Sequence, residues 1–143
     1  MTHNDRSCFF HFSFGVKNLE ESRVFYCDTL GCERGRYADS WFDINFFGHQ
    51  VSLHQLLDLT KCMPSVNEGA VESVSVPLPH FGVILESHDY EILRLRILDK
   101  KIVLELDLCR YQGCQEEQKV MFLRDPSGHA IEFKCFRNPS CIF

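Results

Sequence analysis

At 143 residues and 45% hydrophobic, the chain has the length of about one domain and enough apolar content to bury a sizeable core. Its 15 Lys and Arg against 20 Asp and Glu leave a net charge of −5, with no basic run and no interleaved Arg and aromatic patch, so nucleic acid is not an expected partner. No apolar run approaches the ~20 residues that span a bilayer, and the opening MTHNDRSCFF lacks the basic-then-apolar order of a secretory signal. The expected location is cytoplasmic, with no membrane partner.

The 8 cysteines do not read as a disulfide framework, which belongs to secreted domains with poor cores, and reduced thiols are expected. The close pairs Cys27/Cys32 and Cys109/Cys114 have no matching second pair, so they do not make a structural zinc site.

In chain order, FFHFSFGV at 9–16 alternates as a strand, with Phe10, Phe12, Phe14 and Val16 on one face and Phe9, His11, Ser13 and Gly15 on the other. NLEESRVFYCDTL predicts a helix: Asn18 caps it, Glu21 completes a capping box, Leu19, Val24, Phe25 and Leu30 form its apolar side, and Gly31 stops it. Three strands follow, around CERGRYAD, WFDINFF and QVSLHQL. Residues 58–79, with Pro64, Gly69, Pro77 and Pro79 among polar residues, read as a linker. The order then restarts: strand HFGVILE at 80–86, a helix over SHDYEILRLRILDKK capped near Ser87, and strands IVLELDL, QKVMFLR and HAIEFKCF.

Letters repeat as well as order. His11-Phe12 opens unit one (about 9–57) and His80-Phe81 opens unit two (about 80–137), while Gly48-His49-Gln50-Val51-Ser52 matches Gly128-His129-Ala130-Ile131-Glu132. His11 thus becomes equivalent to His80, and Ser52 to Glu132. Each unit is too small to bury its sheet alone, which predicts pairing around a common cavity.

The face bearing each histidine also carries a small residue, Ser13 or Gly82, and on the last strand Ala130, Glu132 and Lys134 share a face opposite Ile131 and Phe133. If these faces turn inward, His11, His80 and Glu132 converge. Two imidazoles and one carboxylate form the set that holds Fe(II) or a similar divalent ion with positions left open for substrate. On spacing alone, solvated or hydrogen-bonded histidines and a Glu132 turned to water remain alternatives.

These residues resemble the vicinal oxygen chelate superfamily of glyoxalases, bleomycin and fosfomycin resistance proteins, methylmalonyl-CoA epimerases and extradiol dioxygenases. The resemblance runs from HFSFGVKNLEESRVFYCDTLGCERG through WFDINFFGHQVSLH to PHFGVILE and FLRDPSGHAIEFK, and is most specific in FY-x-x-x-LG together with DP-x-G-x-x-x-E. It is nearest to the small single-domain proteins described as predicted extradiol-type dioxygenases. The resemblance implies a single α+β domain over 1–143, in which two paired β-α-β-β-β units form a curved sheet around a metal-centred cavity. It also implies metal ligands at His11, His80 and Glu132, with Fe(II) first and Mn, Zn or Ni as other ions, and it allows a homodimer.

The implied activity is an extradiol-like dioxygenase, an oxidoreductase acting on a small substrate chelated through adjacent oxygens. The alternatives are a glyoxalase-type isomerase, lyase or transferase working without oxygen, and a non-catalytic small-ligand binding protein. Ser52 stands where glyoxalase-like members supply a fourth ligand, which favours three ligands here. His54, on the same strand face, is the candidate general acid or base. A register shift of two residues would instead make it a ligand, and a surface histidine is the remaining alternative. His49, His129 and the turn residue Asp125 are expected to be structural, and Lys134 either contacts an anionic substrate group or is solvated.

Overall fold

Two four-stranded sheets, each with one helical side, frame the chain. The computed structural model describes residues 8–62, 64–71 and 73–143; His3 lies outside them. The chain divides between Cys62 and Met63 into two units, and the β-α-β-β-β order occurs in both, giving the expected α+β class.

Unit one runs β1 (His11–Val16), α1 (Leu19–Arg23), β2 (Glu33–Ala38), β3 (Trp41–Phe46) and β4 (His49–Gln55), with sheet order β1-β4-β3-β2. Asn18 caps α1 as expected, its Oδ1 accepting the Glu21 N–H at 2.9 Å. After Arg23 the winding widens to a π-helical stretch, Val24–Thr29, in which the consecutive Phe25 and Tyr26 are both buried. Tyr26 sits 6.3 Å from the ring of Phe14 and 6.5 Å from that of Phe46, so the helical side covers the sheet face that also carries Ile44, Val51 and Leu53. Each such buried side chain contributes roughly 1.5–3 kcal/mol. The other face of the sheet carries polar residues at every second position.

Unit two contains β7 (His80–Ile84), α2 (Ser87–Asp99), β8 (Leu106–Arg110), β9 (Gln118–Arg124) and β10 (Ala130–Phe136), with sheet order β7-β10-β9-β8. Helix α2 packs on β10 through Tyr90, Leu93 and Ile97. Its N-cap is Glu86, one residue before the expected Ser87, and has no side-chain cap. The strand expected from Ile102 begins only at Leu106, because Lys101 takes a left-handed φ of 57° to end the helix and the next residues bring the chain back to the sheet.

The stretch 58–79, expected as a linker, is not structureless. It holds a 3-10 turn at Leu59–Lys61 and a hairpin of β5 (Asn67–Val71) and β6 (Val74–Leu78), which groups with unit two. Its prolines do not break the hairpin, since a two-stranded ribbon has only edge strands, where a missing N–H is tolerated.

The repeat in the letters is a repeat in the backbone. Strands β1 and β4 pair in parallel with His11 opposite Gln50 and Ser13 opposite Ser52, while β7 and β10 pair in parallel with His80 opposite Ala130 and Gly82 opposite Glu132. Gly48 and Gly128 share the same left-handed φ of 92° in the turns leading into β4 and β10. Ser52 and Glu132 therefore hold equivalent places in their units. All eight cysteines are free thiols, as expected, and burial pushes Cys32 up to about 12, which keeps that thiol protonated. Among the described residues no helix is long and apolar enough to cross a membrane.

The Tyr90 hydroxyl in α2 is buried without a hydrogen-bond partner, and leaving such a group dry costs about 1–3 kcal/mol. Tyr90→Phe is therefore expected to raise the unfolding free energy of the protein by about 1 kcal/mol. A urea titration checks this, and a loss of stability would show that the hydroxyl is satisfied.

Candidate metal centre

In unit two, β7 and β10 bring together two of the three expected ligands. His80 opens β7 and Glu132 stands in the middle of β10, and the parallel register sets Glu132 opposite Gly82, two residues along from His80 on the same face. His80 Nε2 lies 3.0 Å from Glu132 Oε2. The imidazole is packed edge-on against Phe122, with ring centroids 5.0 Å apart at 88°. Gly82 makes this approach possible, since a Cβ there would fall on the carbonyl oxygen of Glu132.

The other ring nitrogen fixes the tautomer. His80 Nδ1 is 2.8 Å from the carbonyl oxygen of Pro77 in β6. A carbonyl only accepts, so Nδ1 carries a proton and donates it, and Nε2 is the nitrogen that faces Glu132: protonated, it donates to the carboxylate, and deprotonated, it has a lone pair for a metal ion. The bond that the imidazolium donates to the Glu132 carboxylate, with the one it donates to the Pro77 carbonyl, outweighs burial and raises the His80 pKa above its ordinary value. Glu132 is buried, with Lys134 Nζ 3.7 Å from its Oε1. Lys134 thus stands beside the acid instead of in bulk solvent. An imidazole anchored through Nδ1 to a carbonyl, with Nε2 and a carboxylate oxygen side by side, fits the donor set of a divalent ion.

His11 opens β1 in unit one, exposed, on the face of its sheet that carries Gln50 and Ser52. Within either unit, no three His, Cys, Asp or Glu side chains among the described residues gather as a metal-holding group. His54 is exposed near the end of β4 and stacks on Trp41, with centroids 6.2 Å apart and an interplanar angle of 30°. His49 accepts the Phe10 N–H at Nδ1, 3.1 Å away. Asp125 holds its turn by accepting the N–H groups of Ser127 and His129, each at 2.9 Å. His49 and Asp125 therefore have structural partners.

The polar face of unit one contains a carboxylate that sequence reasoning missed. Asp43 in β3 is buried, and its Oδ1 accepts the hydroxyl proton of Ser52 at 2.5 Å. Its Oδ2 accepts Gln50 Nε2 at 3.2 Å and Arg36 Nε and Nη2 at 3.1 and 2.9 Å. Burial works against the charge, but the bonds from Ser52 and Arg36 outweigh it and hold the carboxyl below its ordinary range. So held, Asp43 is a poor proton acceptor near neutrality. Its role is to fix Ser52, Gln50 and Arg36. The signal was present: Asp43 stands between Phe42 and Ile44 as Glu132 stands between Ile131 and Phe133.

No family model matches the chain, and no curated protein matches it. Solved structures do. A glyoxalase/bleomycin resistance protein/dioxygenase from Alicyclobacillus acidocaldarius is 24% identical, with 96% of this chain and 97% of that one covered at a TM-score of 0.77. The genomically encoded fosfomycin resistance protein FosX from Listeria monocytogenes is 16% identical over 95% and 98% of the two chains, at 0.70. FosX from Mesorhizobium loti is 13% identical over 90% and 92%, at 0.60. At these identities the likeness is one of fold, and it extends over nearly the whole chain.

Proposed function

We propose that the protein is a metal-dependent enzyme of the vicinal oxygen chelate type, acting on a small substrate through its adjacent oxygens, with extradiol-like ring cleavage as the leading reaction. The observation that carries this reading is the His80 pair: Nδ1–H tied to Pro77 and Nε2 set beside Glu132. His80 and Glu132 would hold the ion with His11 as third ligand, and Ser52, whose proton is committed to Asp43, would leave the fourth protein position vacant. A divalent ion there, Fe(II) in the leading reading, would supply Lewis acidity and the redox chemistry that ring cleavage requires.

The chain's own residues do the remaining work. Pro77 and Phe122 keep the His80 ring from turning, and Lys134 stands by the Glu132 oxygen that does not face His80. His54 would hand a proton to or from the bound substrate. His54→Ala is expected to keep its metal and lose turnover by ~10²–10⁴; loss of metal instead would assign it as a ligand, and no change in either would assign it to the surface.

The Alicyclobacillus protein is described by both names, glyoxalase and dioxygenase, and that shared fold supports a second reading, an isomerase, lyase or transferase using the same residues without oxygen. The deciding experiment supplies metal-loaded protein with a catechol panel under air and under nitrogen. Oxygen uptake with a yellow ring-cleavage product supports the first reading, and oxygen-independent turnover of hydroxy-carbonyl substrates supports the second. Failure to bind any divalent ion overturns both.

Metal binding should also depend on pH. Without metal, the raised His80 pKa means that its pair with Glu132 contributes stability fully below the unfolded value of about 6.5, and loses it as pH rises through the folded value. An arriving ion must displace that proton. Affinity for Mn(II), measured by calorimetry, is therefore expected to climb as pH rises above the ordinary imidazole value of about 6.5, with proton release.

A further inference from the structure

The Asp43 network leaves one group only partly used. Arg36 in β2 gives two of its five N–H donors, one from Nε and one from Nη2, to a single oxygen of Asp43. Its side chain is 75% exposed, whereas that of Asp43 is 6% exposed. The guanidinium is thus fixed at one edge by a buried acid and open along the other, where Nη1 and the second N–H of Nη2 form the fork that matches a carboxylate. It also lies over the ring of Trp41, with Cζ 5.7 Å from the centroid, and the same ring stacks on His54.

We propose that Arg36 is an anion-recognition residue of unit one, and that Trp41 is the surface on which a planar acidic small molecule, an aromatic carboxylate, lies. The proposal rests on reading the protein as a small-molecule enzyme, and it names the substrate class of that site. Holding Arg36 in advance lowers the cost of ordering a long side chain on binding. The ring of the ligand stacks where an indole is already flanked by a cation. Across the sheet, Arg36 in β2 stands three strands from β1, about 14 Å at the usual spacing of neighbouring strands, and the register sets Trp41 level with Gly15, four residues along β1 from His11.

Trp41 is the chain's single tryptophan, so its fluorescence reports on the patch directly. The full chain is titrated with benzoate and with benzamide, before and after chelator treatment, and metal content is measured on the same samples. Benzoate is expected to quench Trp41 saturably with at least about tenfold higher affinity than benzamide. Arg36→Gln should reduce benzoate to the benzamide level while the benzamide titration is unchanged, which shows that the Trp41 surface is intact. Equal affinity for the two ligands in the parent protein, no saturable quenching, or full benzoate binding by Arg36→Gln each overturns the proposal. Benzoate discrimination in a protein that binds no metal would overturn the enzyme reading and leave the anion site standing; the reverse result would do the opposite.

Discussion

Glutamine in place of Glu132 is expected to lower divalent-metal affinity by at least about 100-fold, since even groups that only orient a ligand cost 10–100-fold when removed. The substitution keeps the volume of the side chain in a buried place on β10. A glutamine amide can donate to the Nε2 lone pair that faces it, because Nδ1 keeps its proton on Pro77. The metal-free fold should therefore change by less than about 1 kcal/mol. Metal content after dialysis and a urea titration separate the two effects. Equal metal in variant and parent removes Glu132 from the centre, and a collapse of stability would make it a structural acid.

Alanine in place of Gly82 should be the most damaging single methyl in unit two. Its Cβ would fall on the carbonyl of Glu132 in the neighbouring strand, backbone against side chain, with no flexible end to give way. Overpacking commonly costs about 1–3 kcal/mol, and a clash with backbone belongs at or above the top of that range. Gly82→Ala is expected to lose about 3 kcal/mol or more in a urea titration and to lose metal affinity with it, because the two strands that carry His80 and Glu132 are pushed apart. A variant of parental stability would show that β7 and β10 are not paired in this register.

The repeat was legible because it is carried by local signals: a glycine before each last strand, alternation along it, and a histidine at each first strand. Those signals place His80 and Glu132 on one face, which the parallel register of β7 and β10 turns into a contact of 3.0 Å. The β5–β6 hairpin was hidden by its composition. A ribbon with two free edges does not need alternating apolar residues, so Pro77, whose carbonyl orients His80, stood in a stretch that reads as a linker. Asp43 was hidden differently. Its partners come from β2 and β4, the strands on either side of its own, and reading one strand at a time shows the acid without the guanidinium that holds it.

The parallel pairing of first and last strands also sets the order in which the molecule can assemble. Gly82 and Glu132 are 50 residues apart, and Ser13 and Ser52 are 39 apart, so neither pair can form by zipping a hairpin from its turn. The β9–β10 and β3–β4 ribbons are local and can form early, whereas the closing strand must be brought in across a long loop before its contacts repay the lost chain entropy. The His80 and Glu132 side chains meet only when that closure is complete. Metal capture during refolding would then follow the slowest structural phase of unit two, and an ion that binds the closed state alone would slow unfolding without speeding the search that precedes it.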